Sequence, residues 1–264
     1  MNQFDRRIFL IKALIEENPE YRNLGIPSDP EAQKKLLRSL FNVRMPGLKD
    51  PAFLKVQDEY LSEIAASKGV IHLEDIPVSK LCMSIWQGDI TRLAVNAIVN
   101  AANSQMLGCF IPMHNCIDNC IHTYAGIQLR EECSRKMENL RAKHGQDYEQ
   151  PTAIPMLTDA WNLPAKKIIH IVGPIVQDRL TPKLEADLSS CYSNTLDLCL
   201  ENKLKSVAFC CISTGVFSFP NARAAEIAVL TVEKWLDCHK CAMERVIFNV
   251  FKDEDRRLYE RLLA

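Results

Sequence analysis

The spacing of apolar residues changes character about a third of the way along the chain. Over residues 1–70 they recur at helical intervals. In "FDRRIFLIKALIEEN", Phe4, Ile8, Ile11, Leu14 and Ile15 share one stripe. Ser28 stands where it can cap "DPEAQKKLLRSLFNVRM", with Pro30 in the first turn and Leu36, Leu37 and Leu40 as the apolar face. "PAFLKVQDEYLSEIAASKG" predicts a third helix, closed by Gly69. After about residue 78 short apolar runs alternate with amphipathic stretches. Strands are predicted at "LCMSIWQGDI", "NAIVNAA", "TAIPML", "KKIIHIVGP", "KSVAFCCIS" and "RVIFNVF". Helices are predicted at "CIDNCIHTYAGIQLREECSRKMENLRAKHG", "KLEADLSSCYSNTLDLCLENK", "ARAAEIAVLTVEKWLDCH" and "DEDRRLYERLL". That alternation implies an α/β fold, with βαβ crossovers and a mostly parallel sheet covered on both faces. The chain divides into a helical N-terminal extension, residues 1–75, and an α/β domain, residues 76–264.

Composition narrows the function. The 264 residues are 47% hydrophobic and carry a formal net charge of −1, so a large core is available and no basic field exists to hold a polyanion. Nucleic acid is therefore not expected as a partner. No apolar run reaches the ~18 residues of a membrane span, and "MNQFDRRIFLIKALIEENPE" has no secretory hydrophobic stretch. The expectation is a cytoplasmic protein whose eleven cysteines are reduced thiols.

In open α/β sheets ligands gather beyond the carboxyl ends of the strands. Three loop segments there carry candidate chemistry. In "STGVFSFPNAR", Ser213, Thr214 and Gly215 can present successive amides and Asn221 can cap the next helix; this is an anion nest or a plain strand-to-helix turn. At the end of "NAIVNAAN", Asn100 and Asn103 fit either contacts to a hydroxyl-rich ligand or turn caps. In "GCFIPMHNC", Cys109, His114 and Cys116 are metal ligands or a chance cluster in a cysteine-rich chain.

Taken together, "GDITRLAVNAIVNAANSQMLG", "CIDNCIH", "IIHIVGP", "CISTGVFSFP" and "VIFNVFKDED" resemble the motifs of the macrodomain family, in its order, over roughly residues 80–264. The resemblance implies a three-layer α/β/α sandwich that binds ADP-ribose and, in many members, hydrolyses ADP-ribosyl bonds. It implies that Asp89 accepts from the adenine amino group beside the Ile90 amide, and that Phe251 stacks near the adenine. Asn103 would contact the distal ribose, and the backbone of Ser213, Thr214, Gly215, Val216 and Phe217 would cradle the diphosphate. Phe217 or Phe219 would flank the distal ribose, and Asp118 would occupy the catalytic aspartate's position.

The chain departs from the family pattern just before that aspartate. Where relatives have consecutive glycines, a single Gly108 precedes "CFIPMHNCIDNCIH". The Cys-x4-His-x-Cys spacing is similar to a zinc-containing microbial subclass. It implies Zn2+ on Cys109, His114 and Cys116 at the distal ribose, with one position open to acidify water or polarise a substrate oxygen. Cys120, one turn beyond Cys116, is a weaker fourth candidate, His122 reads as a packed helix histidine, and "CHKC" at 238–241 as filler.

The expected function is zinc-dependent removal of mono-ADP-ribose from a protein side chain, an acidic one, opposite a sirtuin-like transferase. A lipoyl-carrier protein is a plausible substrate on the same family grounds. The alternatives are an ADP-ribose reader without catalysis and an O-acyl-ADP-ribose deacylase.

Overall fold

The computed structural model describes residues 1–47 and 49–264. Its centre is a six-stranded sheet in the order β2-β8-β7-β4-β6-β5. These strands are Met83–Gln87 (β2), Ala97–Ala102 (β4), Met156–Asp159 (β5), Lys167–Val172 (β6), Ser206–Phe209 (β7) and Arg245–Val250 (β8). All pairings are parallel except β5 with β6. A minor parallel pair joins Ile71–His72 (β1) to Leu93–Ala94 (β3).

The helices flank the sheet in two sets, which is the expected α/β/α sandwich. Pro182–Glu201 (α6), Asn221–Cys238 (α7) and Asp253–Leu262 (α8) pack on one another, with α6 on β6 and α8 on β2 and β8. Ile117–Ala125 (α4) and Ile127–His144 (α5) pack on each other and on β4 and β5. Strands covered on both faces should read as near-continuous apolar runs, and β6, β7 and β8 do.

Three N-terminal helices, Gln3–Glu17 (α1), Pro30–Val43 (α2) and Pro51–Lys68 (α3), form a second apolar cluster around Leu10, Leu14, Leu37, Phe53 and Leu61. Each starts at an Asn or Asp whose side chain accepts a first-turn amide: Asn2, Asp29 and Asp50. Ile127 of α5 belongs to the same cluster.

Several local expectations change. Asp29, not Ser28, caps α2, because its carboxylate reaches the Ala32 amide at 2.7 Å. Phe4 is 50% exposed, since the buried face of α1 rotates onto Leu10, Ile11, Leu14 and Ile15. The long helix over 116–145 is broken at Gly126, whose φ of +94° ends α4 before α5 begins. Asn221 does not cap α7: Pro220 holds that position, and the Asn221 amide donates to Asp255 at 2.5 Å. The strand expected at "TAIPML" lies over Met156–Asp159 and runs antiparallel.

Candidate functional site

The carboxyl ends of β4, β7 and β8 converge with the N-termini of α4 and α7, and the candidate residues lie on the loops between them. β4 carries Asn100 two positions before its end, buried between sheet and α4. Its Nδ2 donates to Asp118 Oδ1 at 2.7 Å and lies 3.0 Å from His170 Nδ1 on the paired strand β6. One position past the ladder, Asn103 takes the turn-cap role, one of the two that the sequence left open. Its Oδ1 accepts from the Gln105 amide at 3.0 Å as a turn cap, while its Nδ2 reaches Gly108 O at 3.2 Å and Asp118 Oδ2 at 3.4 Å. Asp118 thus has both oxygens faced by asparagine amides. It is 4% exposed, and burial pushes its carboxyl up to about 6 against the opposing Asn100 bond and Arg130 charge.

Between Asn103 and Asp118 the chain folds the soft donors together. The side-chain donor atoms of Cys109, His114 and Cys116 all lie within 4.8 Å of one another, and Cys109 Sγ stands 3.5 Å from His114 Nδ1. Tetrahedral zinc with its usual bond lengths separates a sulfur and an imidazole nitrogen by about 3.6 Å, so the donor set fits such an ion. Burial, with the neighbouring Cys109 and Asp118, pushes the Cys116 thiol up to about 12, and the Asn119 amide opposes this at 3.4 Å. A cation is what makes such a sulfur ionise near neutrality. Cys120 stands outside the group, its sulfur 3.7 Å from Arg38 Nη2.

A second group, His122, Cys133 and His170, is fully interior. Here His170 already spends both ring nitrogens, on Asn100 and on Thr158 at 2.9 Å, and burial lowers it to about 3. This is core, and His122 belongs to it. Cys238 and Cys241 are exposed, and His239 stacks on Trp235.

At the opposite end Asp89 follows β2. Its Oδ1 accepts from the Thr91 amide (3.0 Å) and hydroxyl (2.6 Å), and its Oδ2 accepts from Lys68 at 2.9 Å. Burial alone would raise this carboxyl, but the Thr91 and Lys68 hydrogen bonds and the lysine charge outweigh it and hold it below the usual range. Ile90 is buried and Phe251, just past β8, is 77% exposed.

The loop after β7 turns through Ser213 at φ +65°. Thr214 donates back to Cys211 O at 3.4 Å, whereas among the described residues Gly215, Val216 and Phe217 have no backbone acceptor for their amides. Phe219 is packed in the core, which leaves Phe217 as the aromatic at the rim.

Residues 99–228 match the Macro domain family. A protein-ADP-ribose hydrolase of Treponema medium is 49% identical over 268 residues, spanning 100% of both chains. The chain belongs to the Macro domain family. A protein-ADP-ribose hydrolase of Staphylococcus aureus (strain Mu50 / ATCC 700699) is 42% identical, covering 97% of this chain and 94% of its own length. Among solved structures, the Trypanosoma brucei macrodomain in complex with ADP-ribose superposes with a TM-score of 0.66 at 26% identity, covering 90% of this chain and 97% of that one. The Oceanobacillus iheyensis macrodomain with MES bound gives 0.60 at 36% identity, over 69% and 89%.

Three residues that touch this Macro domain's candidate site were not singled out from the sequence: Lys68, Arg38 and Asn42. All lie on the N-terminal helices and reach residues 21 to 82 positions away. Lys68 also sits 3.2 Å over the Tyr124 ring. Such contacts are set by how two helical layers dock, which no local pattern encodes. The one available clue was that Asn42 is a polar residue on the apolar side of α2, where a buried amide needs partners.

Proposed function

We propose that this chain is a zinc-dependent hydrolase that removes mono-ADP-ribose from a modified protein. The observation that carries the reading is the meeting of Asn103, Asp118 and the soft-donor loop. Asn103 touches both Asp118 and the carbonyl of Gly108, the residue before the first sulfur. The relatives' own designation as protein-ADP-ribose hydrolases supports the same reaction.

ADP-ribose would lie along the strand ends, with the adenine between Asp89, Ile90 and Phe251, the diphosphate on the amides of the 213–217 loop, and the distal ribose at Asn103 beside Phe217. Macrodomain structures bound to ADP-ribose are similar over most of this chain, which supports that path. Cys109, His114 and Cys116 would hold zinc, which supplies Lewis acidity next to the bond that breaks. Asp118, fixed by Asn100 and Asn103, orients the attacking water and accepts its proton. Hydrolysis adds the elements of water: ADP-ribose leaves carrying a new hydroxyl, and the protein side chain, an acidic one, returns as its carboxylic acid. The functional division lies at residues 1–75 and 76–264. The natural counterpart is a sirtuin-like ADP-ribosyltransferase acting on a partner such as a lipoyl-carrier protein.

The test pairs metal analysis with turnover. Protein stripped of zinc by a chelator, and a Cys109→Ala variant, should release no ADP-ribose from a modified protein, yet should bind free ADP-ribose within a few-fold of the untreated protein. Re-adding zinc to the stripped wild type should restore release. Full turnover by metal-free protein would refute zinc dependence. Binding without release under any metal condition would leave a reader module.

A further inference from the structure

The soft-donor loop is held from outside the α/β domain. Asn42 of α2 is 1% exposed and spends both ends of its amide: Oδ1 accepts from the Met113 amide at 3.0 Å, and Nδ2 donates to Thr123 Oγ1 at 2.8 Å. Met113 needs such a hold, because it sits at φ +58°, a region that costs a non-glycine residue about 1–2 kcal/mol. One turn earlier on α2, Arg38 Nη2 donates to His114 O at 2.8 Å and to Asn119 Oδ1 at 3.0 Å. Asn119, wholly buried in the first turn of α4, passes this on. Its Nδ2 donates to Cys109 O at 3.3 Å and to Ile111 O at 3.0 Å, and its backbone amide donates to Cys116 Sγ.

Each of the three donors is therefore anchored within one or two hydrogen bonds of Arg38: His114 through its carbonyl, Cys109 through its carbonyl, and Cys116 through its sulfur. A third tie fixes the two layers to each other. Arg130 of α5 donates to Phe41 O and Asn42 O at the end of α2 (3.1 and 2.9 Å) and to Leu107 O at the start of the loop (2.8 Å).

We propose that Arg38 and Asn42 are positioning residues for the metal loop, so that the N-terminal helices are a structural part of the zinc site rather than an appendage. The proposal rests on the metal reading of Cys109, His114 and Cys116. A loop with one glycine and a left-handed methionine does not hold three ligands in register by itself; the α2 contacts hold it before the ion arrives. Partners of this kind, which orient ligands without touching the metal, are typically worth about 10–100-fold in metal affinity.

The test uses full-length protein and readouts that do not depend on turnover. Zinc affinity is measured by competition with a chromophoric chelator, and amide exchange over residues 109–116 is measured on metal-free protein. Arg38→Met and Asn42→Ala should each weaken zinc by about 10–100-fold and speed exchange at Met113 and His114. ADP-ribose affinity should stay within a few-fold. Arg38→Lys, which restores a donor, should recover part of the zinc affinity, a result that a merely space-filling role would not give. Should Asn42→Ala not fold, the two Arg38 variants decide alone. Wild-type zinc affinity and unchanged exchange in Arg38→Met would overturn the positioning role while leaving the zinc reading intact. A wild-type protein that binds no zinc would overturn both.

Discussion

Gly108→Ala isolates the geometry where the loop leaves the sheet. Gly108 has φ +82°, and an added Cβ would stand 2.7 Å from His122 Cγ, 2.8 Å from Cδ2 and 3.0 Å from Nδ1. Comfortable carbon contacts are about 3.5–4.0 Å, so the ring must retreat by several tenths of an ångström. It has little room to do so, because Asp118 Oδ1 lies 3.6 Å from Nε2 and the His170 ring centre is 5.9 Å away. The left-handed backbone costs alanine about 1–2 kcal/mol, and overpacking a filled core costs about 1–3 kcal/mol more. The sum, about 2–5 kcal/mol, corresponds to a fall in Tm of about 4–20 °C for chains near this length. Calorimetry on Gly108→Ala, His122→Ala and the double variant separates the two contributions. With the ring removed, adding the methyl should cost only the backbone share, about 1–2 kcal/mol. A Gly108→Ala protein that melts within about 1 °C of wild type, or a double variant whose two costs simply add, would refute the contact argument.

Two further outcomes follow from charges. Asp89 is held ionised by Thr91 and Lys68, so its own contact should not be what makes ADP-ribose affinity vary near neutral pH. In Lys68→Met the Asp89 carboxyl should protonate at higher pH and affinity should begin to fall earlier on acidification, as calorimetric titration would show; identical pH profiles would count against Asp89 as an adenine contact. His170 is held neutral, with a folded pKa of about 3 below an unfolded value of about 6.5. Its contribution to stability is present above about pH 6.5 and is lost as the pH falls toward 3, by up to about 1.4 kcal/mol per pH unit. Urea unfolding at stepped pH should show that decline, and His170→Asn should flatten it; an equal slope in the variant would remove His170 as the cause.

The sheet and its flanking helices were legible because buried parallel strands write continuous apolar runs and helices write a 3.6-residue period. The motif loops were legible because their residue types stand out where they fall: asparagines in and just after the apolar strand β4, and sulfur and imidazole within eight positions. What was lost is local competition. Asp29 outbids Ser28 as a cap, Gly126 splits a helix whose periodicity runs straight through it, and Phe219 is drawn into the core while Phe217 stays at the rim. The docking of α2 and α3 was not legible at all. Lys68, Arg38 and Asn42 lie on helices whose apolar stripes give their inward face but not the polar atoms they will meet.

The shared position of Ile127 makes the two layers depend on one another. The apolar cluster of α1, α2 and α3 is completed by Ile127, and the Gln57 side chain accepts from that residue's amide at 3.0 Å. The N-terminal helices therefore close their apolar seam only against a residue of α5, more than fifty positions beyond the end of α3, so neither layer's surface is finished without the other.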